Sequence, residues 1–249
     1  MGGMWTKEHR ARQAAECRYA RDAERDPLPR PRGLRLADAA GAIRAVADGL
    51  LWQTVYWWFR RSARRLLFRT VHDIALMLDR ERAGREASPT AGVLDSQTVK
   101  APRAPGGGGH DAAKRTRGRK CHVAVDTDGR LLMVNLTAAD AQDAAGADRI
   151  IGALRKRWPR LKHLFADGAH DRGKLASAAA YRDFTIEVVR KLAGQQGSQV
   201  LPRRWVVERT FGWMTRWRRL VRGHERRRDV SEAMIHIAMG GLLLRRIAH

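Results

Sequence analysis

The residues at 203–221, RRWVVERTFGWMTRWRRLV, constrain the fold more than any other stretch. Pro202 stands just before them, and proline is tolerated at the start of a helix but not inside it. At about 100° per residue, the apolar residues gather on one broad face: Val206, Val207, Thr210, Phe211, Trp213, Met214, Trp217 and Val221. The stretch therefore predicts one amphipathic helix over 203–221, packed against a larger core.

Glu208 is the only acid in this stretch, and two interpretations of it are open. In the first, Glu208 is a solvated glutamate whose pairing with Arg204, one turn earlier, stabilises the helix by roughly a few tenths of a kcal/mol. In the second, Glu208 is one ligand of a functional site. Two aspartates upstream favour a site. Asp95 lies inside a strand pattern, where aspartate is disfavoured. Asp167 ends another strand pattern, at the kind of edge where α/β sheets hold their sites.

Three converging carboxylates repel one another unless a cation neutralises them. Hard divalent ions such as Mg²⁺ take oxygen ligands and keep positions open for a phosphate. Two such ions can activate an attacking oxygen and stabilise the leaving one. The pattern alone leaves alternatives open, because Asp167 could equally cap a turn and other aspartates are available by type: Asp126, Asp128, Asp140 and Asp171.

The charge balance indicates a polyanionic partner. The chain has 49 Lys and Arg against 26 Asp and Glu, a net charge of +23. A GC-rich genome would explain the preference for arginine over lysine, but not the excess of basic residues over acidic ones. DNA or RNA is the usual partner of such a chain. The two cysteines give neither a disulfide framework nor metal-ligand spacing, and no apolar run is long enough to span a membrane. We expect a reducing cytosol and no membrane partner.

Periodicity along the chain predicts an α/β fold with a mixed sheet flanked by helices. Residues 1–50 are weakly patterned. Residues 51–85 read as a small basic helical region of two helices, predicted to bind DNA through its arginines; a solvated helix face is the alternative. Residues 86–249 read as a larger α/β domain. Its predicted elements are a strand at 92–99, a loop at 101–120, a hairpin at 121–136, helices at 143–158 and 174–182, strands at 161–166 and 184–189, the helix at 203–221, and a last helix that starts at a capping box of Asp229 and Glu232.

Several motifs resemble the IS5-type insertion-sequence transposases of the DDE class: VLDSQTVK, GRKCHVAVDTDG, LFADG, LPRRWVVERTFGWMTRWRRL and SEAMIHIAM. The resemblance covers residues 51–249. It implies a ribonuclease-H-like catalytic core in which Asp95, Asp167 and Glu208 bind two Mg²⁺ ions, with Mn²⁺ as the alternative. It also implies cleavage at the inverted-repeat ends of an element, joining of the 3′ ends to target double-stranded DNA, action as a homo-oligomer on DNA, and a place at the nucleoid in the bacterial cytoplasm.

The chain departs from the family near the glutamate. The family has a tyrosine, arginine, glutamate and lysine signature, and Arg204 fills the arginine position. Leu201 replaces the tyrosine and Thr215 the lysine, with Arg216 adjacent. These departures concern DNA contacts rather than the carboxylates. We predict DNA contacts from Lys100, Lys114, Arg115, Arg117, Arg119, Lys120, Arg204, Arg209, Arg216 and Arg219.

The resemblance stops before Trp52. Relatives carry a Leu-Pro-x-Asp-Leu-Pro-Pro-like run there, and this chain has Val-Ala-Asp-Gly-Leu at 46–50. We hypothesise that residues 1–50 are poorly ordered or translated out of the family's frame, which the codons of the gene test. The alternative to an active transposase is then a decayed or repurposed copy that binds DNA without transposing. A general ribonuclease-H-like nuclease is a third reading.

Overall fold

The computed structural model describes residues 51–101, 108–112, 114–141, 143–167, 177, 179–189 and 204–249. By its internal contacts the chain divides into two units, Met1–Tyr56 and Trp57–His249. The predictions for residues 1–50, and most of the predicted helix at 174–182, lie outside the described residues. The domain boundaries at 50/51 and 85/86 stay predictions.

Five α-helices and six strands make up the described part of the chain. The helices are α1 (Leu51–Arg64), α2 (Leu67–Arg82), α3 (Asp143–Arg157), α4 (Arg204–Thr215) and α5 (Arg228–Ala248). The strands are β1 (Ala91–Lys100), β2 (Gly109–Asp111), β3 (Thr116–Asp126), β4 (Leu131–Ala138), β5 (His163–Asp167) and β6 (Thr185–Val189). The two predicted N-terminal helices are confirmed as α1 and α2, and Leu66 between them adopts a left-handed conformation with φ of 58°.

The six strands form one mixed sheet with the order β2-β3-β1-β5-β6, and β4 also pairs with β3. The pairs β1–β3 and β3–β4 are antiparallel, while β1–β5 and β5–β6 are parallel. The predicted hairpin is confirmed as β3–β4, with Gly129 at a positive φ of 84° in its turn, where glycine carries no steric cost.

Side chains that alternate along the strands build a core on each face of the sheet. On one face, Leu94 and Ala124 pack with α2 and with α3 residues such as Ile150. On the other, Val93 and Val123 pack with α4 and α5 in a cluster that includes Val206, Val207, Phe211, Met214, Ile235 and Met239. The predicted fold class, a mixed sheet flanked by helices and preceded by helices, is confirmed and is compatible with a ribonuclease-H-like fold.

The prediction of a loop over 101–120 was wrong at two places. Residues Gly109–Asp111 pair with β3, and β3 itself begins at Thr116 rather than near residue 121. Gly118 of β3 allows close pairing with β1. A Cβ at Gly118 would lie 2.0 Å from the carbonyl oxygen of Val99, so only glycine permits this approach of β3 to β1.

The prediction of one helix over 203–221 was also wrong at its end, because α4 stops at Thr215 and only a short 3₁₀ turn, Arg218–Leu220, follows. Trp217 is extended there, with φ of −89° and ψ of 107°. Its ring lies 3.6 Å from the position that a Cβ on Gly241 of α5 would take. Packing of this ring on α5 therefore outweighs the local helical pattern.

The predicted capping box was wrong. Helix α5 begins at Arg228, and Arg227 stands at its N-cap without a side-chain capping bond. Asp229 pairs with Arg227 at 2.9 Å. The Glu232 carboxylate accepts a hydrogen bond from the backbone N–H of Leu136 at 3.2 Å, so this acid ties α5 to the sheet instead of capping its own helix.

Candidate active site

The register of the sheet places the two predicted aspartates on adjacent strands. Strands β1 and β5 run parallel, and their last paired residues are Leu94 and Ala166. Asp95 and Asp167 are the next residue of each strand. Asp167 is also paired through its backbone with Val189 of β6. Two acids far apart in the sequence thus come to neighbouring positions at one end of the parallel part of the sheet.

Asp95 is half-buried and stands two residues after Val93, which packs beneath α4. Because side chains alternate along a strand, Asp95 lies on the face of the sheet that α4 covers. One of its carboxylate oxygens accepts a hydrogen bond from the backbone N–H of Ser96 at 2.7 Å. This bond fixes the carboxylate close to its own strand.

Glu208 lies on α4, which packs on β1, β3 and β5. Val206 and Val207 are buried against the sheet, while the Glu208 side chain is 63% exposed. A nitrogen of Arg204 lies 3.9 Å from its carboxylate, one turn earlier. The helix that crosses both aspartate-bearing strands thus carries an accessible carboxylate, held loosely by one arginine.

The hairpin turn fixes α4 in place. The Thr210 hydroxyl is within hydrogen-bond distance of the Gly129 carbonyl, at 2.9 Å, and Arg209 donates to the Asp128 carbonyl at 2.8 Å. The Arg209 guanidinium also stacks between Trp205 and Trp213, 4.4 and 4.8 Å from their ring centres. Arg209 is thus a residue that positions α4, rather than a free cation facing solvent.

Two aspartates that the sequence left as alternatives are occupied by other contacts. Asp126 is fully buried and contacts Arg80 and Arg130. Asp128 accepts from Arg130 at 2.5 Å and pairs with Arg85 at 3.1 Å. These arginines neutralise both acids, which removes them as competitors for the site. Asp140 is exposed on its turn, and Asp171 lies outside the described residues.

This charged cluster of Asp126, Asp79, Arg80 and Arg130 is a feature that the sequence analysis missed. Asp79 accepts from Arg130 at 2.5 Å, so the cluster joins α2 to the β3–β4 hairpin. No periodicity signals it, because its members are scattered over 52 positions of the chain, from residue 79 to residue 130. A hint was available in the acids and arginines that stand close together at both ends, at residues 79–82 and 126–130.

The predicted DNA-contacting residues divide by exposure. Arg119 is 2% exposed and donates to Ser231 at 3.0 Å and to the Arg226 carbonyl at 2.6 Å. Lys120 is 8% exposed and donates to the Ala141 carbonyl at 3.0 Å. These two, with Arg209 and the half-buried Arg204, are held by the protein. The exposed ones are Lys100, Lys114, Arg115, Arg117, Arg216 and Arg219, of which Arg219 pairs with Glu225 at 2.6 Å.

A cavity of about 270 Å³ opens on the same face as Asp95, between the end of β1, the end of α4 and the start of α5. Gln97, two residues after Asp95, lines it. Its floor is apolar, with Leu136, Phe211 and Met214. Cations stand among its lining residues, including Lys100, Arg219 and Arg222. Glu225 also lines the cavity and pairs with Arg219 at 2.6 Å, so the lining carries both signs of charge.

Cys121 also lines this cavity and is 3% exposed. Burial, together with the nearby charge of Glu232, raises the pKa of its thiol to about 12. Because the thiolate is the nucleophilic form, the thiol is inert at neutral pH. Cys121 therefore serves packing rather than chemistry.

The carboxylate set suits a hard divalent cation, since Asp95 and Glu208 offer oxygen donors that remain accessible. Among the residues whose side chains the structure describes, no group of three or more His, Cys, Asp or Glu is close enough to form a metal site. The side chain of Asp167 is not among those described. No helix in the described part of the chain is long and apolar enough to cross a membrane.

Comparison with known proteins identifies the class to which this arrangement belongs. Residues 86–241 match the family described as the transposase DDE domain, which is more than half of the chain. The protein therefore belongs to the DDE transposases. It is also similar to a protein of Burkholderia cepacia named as the putative transposase for insertion sequence element IS402. The two are 31% identical over 156 residues, which cover 58% of this chain and 70% of the relative.

Both comparisons support an insertion-sequence transposase of the DDE class, as the motifs indicated. Domains of this kind generally use divalent metal ions and act on DNA.

Proposed function

We propose that the protein is a transposase of the IS5 type that cuts DNA at the ends of its element and joins the 3′ ends to a target. The observation that carries the proposal is the register of β1 and β5, which sets Asp95 and Asp167 side by side beneath the helix that bears Glu208. The family membership supplies the reaction class, and we infer that these three residues supply its carboxylates.

Asp95, Asp167 and Glu208 would hold two divalent cations, Mg²⁺ by preference and Mn²⁺ as the alternative. When bound, such ions lower the pKa of an attacking hydroxyl and balance charge on the leaving oxygen. The protein's own contribution is to place the ligands. Asp95 is oriented by the Ser96 N–H, and Glu208, whose side chain is 63% exposed, would complete the set when DNA arrives.

DNA would lie along the exposed cations. The net charge of +23 favours any polyanion, and the exposed residues among the predicted contacts include Lys100, Arg117 and Arg216. We place Arg119 and Lys120 outside the interface, since each already donates to protein acceptors. We further propose that the protein acts as a homo-oligomer on paired ends, at the nucleoid in the bacterial cytoplasm.

A nicking assay tests the proposal. Supercoiled plasmid that carries the inverted-repeat ends is incubated with the protein in Mg²⁺, in Mn²⁺ and in EDTA. Glu208→Gln keeps the size of the side chain, but glutamine is a poor metal ligand, so we expect the nicking rate to fall by at least a hundredfold. That fall corresponds to a loss of about 2.7 kcal/mol in transition-state stabilisation. Glu86→Gln is the matched control, because Glu86 is an equally exposed surface acid, 69% exposed and paired with Arg160.

The alternative function, a copy that binds DNA without transposing, gives a different result. It retains specific binding to the ends in a gel-shift assay but shows no metal-dependent nicking in the wild type. Equal cutting of unrelated DNA would instead indicate a general nuclease. Nicking by the Glu208→Gln variant at the wild-type rate would remove Glu208 from the site.

A further inference from the structure

Arg246, in the last turn of α5, contacts the helix that carries Glu208. The central carbon of its guanidinium lies 4.8 Å from the centre of the Trp213 ring on α4. The guanidinium of Arg209, one turn before Trp213 on the same helix, lies at the same distance from that ring. Each cation is attracted by the electron-rich face of the indole. Trp213 is thus a point at which α4 and α5 meet through charged side chains.

Arg246 also contacts the charged cluster that joins α2 to the β3–β4 hairpin. One of its nitrogens lies 3.7 Å from the carboxylate of Asp79, and Asp79 accepts from Arg130 at 2.5 Å. Arg130 donates in turn to the Asp128 carboxylate at 2.5 Å, and the carbonyl of Asp128 accepts from Arg209 at 2.8 Å. These contacts close into a ring, which we call the contact ring: Arg246, Asp79, Arg130, Asp128, Arg209 and Trp213.

The contact ring supplies what the apolar packing of α4 lacks. Val206 and Phe211 hold α4 on the sheet by burial. Burial is non-directional, so it resists separation of the helix from the sheet more than it resists a small rotation. Cation–π contacts and hydrogen bonds require a particular geometry. Contacts of this second kind are therefore the ones that limit rotation of α4 about its own axis.

We propose that Arg246 is a positioning residue, which holds α4 at one rotation and with it the Glu208 carboxylate over the face of the sheet that carries Asp95. The consequence for Glu208 rests on the proposed function. The backbone of Arg246 is itself anchored, because Arg82 of α2 donates to its carbonyl at 2.9 Å. A misplacement of about 1 Å at a reacting group can cost on the order of a hundredfold in rate, so a residue that touches no reacting group can still govern the rate.

Arg246→Met is the variant that breaks the contact ring with the least damage. Methionine keeps an unbranched side chain and removes the charge. Asp79 keeps its bond to Arg130, so no buried acid loses its last partner, and far-UV circular dichroism checks that the variant is folded. Arg245→Met is the matched control. Arg245 is exposed, and its guanidinium lies 5.9 Å from the ring of Trp217, beyond the end of α4.

Hydrogen exchange of the α4 amides, followed by mass spectrometry without DNA or metal, measures how firmly α4 is held. We expect exchange in α4 to be about two- to fivefold faster in Arg246→Met, the ratio that the loss of one exposed cation–π contact gives. Exchange in α4 should be unchanged in Arg245→Met, and exchange in β3 should be unchanged in both variants.

A double-mutant cycle separates the contact ring from a general loss of stability. In a Trp213→Leu background the ring is already broken, so Arg246→Met should add nothing to the exchange rate of α4. Exchange in α4 that is equal in Arg246→Met and wild type would overturn the proposal. The full effect of Arg246→Met in the Trp213→Leu background would overturn it as well.

Nicking of plasmid DNA in Mg²⁺ tests the consequence for Glu208. We expect the maximal rate of Arg246→Met to be at least about tenfold below that of wild type, with the half-saturating DNA concentration and the salt slope of DNA binding unchanged. A maximal rate equal to that of Arg245→Met would overturn the proposal. A salt slope reduced by about 1 would make Arg246 a DNA contact instead. If wild type does not nick, the proposed function fails, while the exchange measurement still decides whether Arg246 positions α4.

Discussion

The Thr210 hydroxyl lies 2.9 Å from the carbonyl oxygen of Gly129, and both groups are buried. This contact joins the helix that carries Glu208 to the turn of the β3–β4 hairpin. The turn can approach so closely because Gly129 has no Cβ; one added there would lie 2.9 Å from the Thr210 oxygen. This contact acts beside the Arg209 bond to the Asp128 carbonyl and the apolar packing of α4 in setting the position of α4 over the sheet.

Replacing Thr210 by valine should destabilise the protein. The change keeps the shape but removes the hydroxyl that lies within hydrogen-bond distance of the Gly129 carbonyl, at 2.9 Å, and of the Val206 carbonyl, at 3.1 Å. A buried unsatisfied polar group costs about 1–3 kcal/mol. Urea unfolding of Thr210→Val against wild type measures the loss. Thr210→Ser keeps the hydroxyl and loses one methyl, so it serves as control. If the two variants lose equal stability, the hydrogen bond is not what secures α4.

Asp126→Ala should be far more damaging than a surface change of the same kind. It leaves Arg80 and Arg130 buried without one of their carboxylate partners, and removing one member of a buried pair costs roughly 3–5 kcal/mol. Asp148→Ala is the comparison, since Asp148 pairs with Arg182 at 2.9 Å but is 48% exposed, and such pairs contribute about 0–1 kcal/mol. Similar unfolding free energies for the two variants would contradict the structural role of the cluster.

Acid should destabilise the protein through His236 of α5. Burial first, and then the charge of nearby His72, lowers the pKa of His236 to about 3. In the unfolded chain it returns to its ordinary value near 6.5. Between these values the unfolded state binds the extra proton, so stability falls as the pH falls from about 6.5 toward 3, at up to about 1.4 kcal/mol per pH unit.

His236→Asn isolates this effect. Asparagine can still donate to the Glu232 carbonyl, which His236 Nδ1 contacts at 2.8 Å, but it does not titrate. Two charged groups act on both His236 and its neighbour His72, and they remain in both proteins: Asp73 and Arg157. The difference in unfolding free energy between variant and wild type, measured from pH 7 to pH 4, should change by up to about 1.4 kcal/mol per pH unit. A pH-independent difference would show that His236 does not carry the dependence.

Arg117 and Arg119, two residues apart on β3, should behave differently. Arg117 is exposed, and Arg117→Ala should weaken DNA binding at all sequences and reduce the slope of log K against log salt by about 1. Arg119 is buried and bonded to α5. Arg119→Ala should lower the unfolding free energy while leaving the salt slope unchanged. Filter binding across a salt series, with unfolding measured in parallel, distinguishes the two.

The sequence predicted most elements because their apolar periodicity is local. The pair of N-terminal helices, the hairpin and the strand that bears Asp95 all followed from spacing and turn residues alone. The candidate site rests on a different ground, because the residue types around Glu208 and the two aspartates match a family. The fold brings Asp95 and Asp167 to neighbouring strand positions, which no local signal in the sequence shows. Spacing alone could not separate Asp167 from Asp126, because both end a strand pattern.

The errors occurred where distant residues decide local structure. Glycine-rich residues before Cys121 looked like a loop, yet Gly118 pairs closely with β1. The helix that seemed to run to residue 221 stops at Thr215, because Trp217 packs on α5. Glu232 looked like a cap, but the sheet takes its carboxylate.

By itself, the sequence determined the class of protein, the excess of positive charge, and the order of helices and strands, since all of these depend on residue type and on neighbours along the chain. Only the tertiary structure decided which acids are neutralised by arginines, which cations face solvent, and that Arg246 of α5 contacts Trp213 of α4. Those properties depend on contacts between residues many positions apart, and burial and pairing are set by the packing rather than by the spacing.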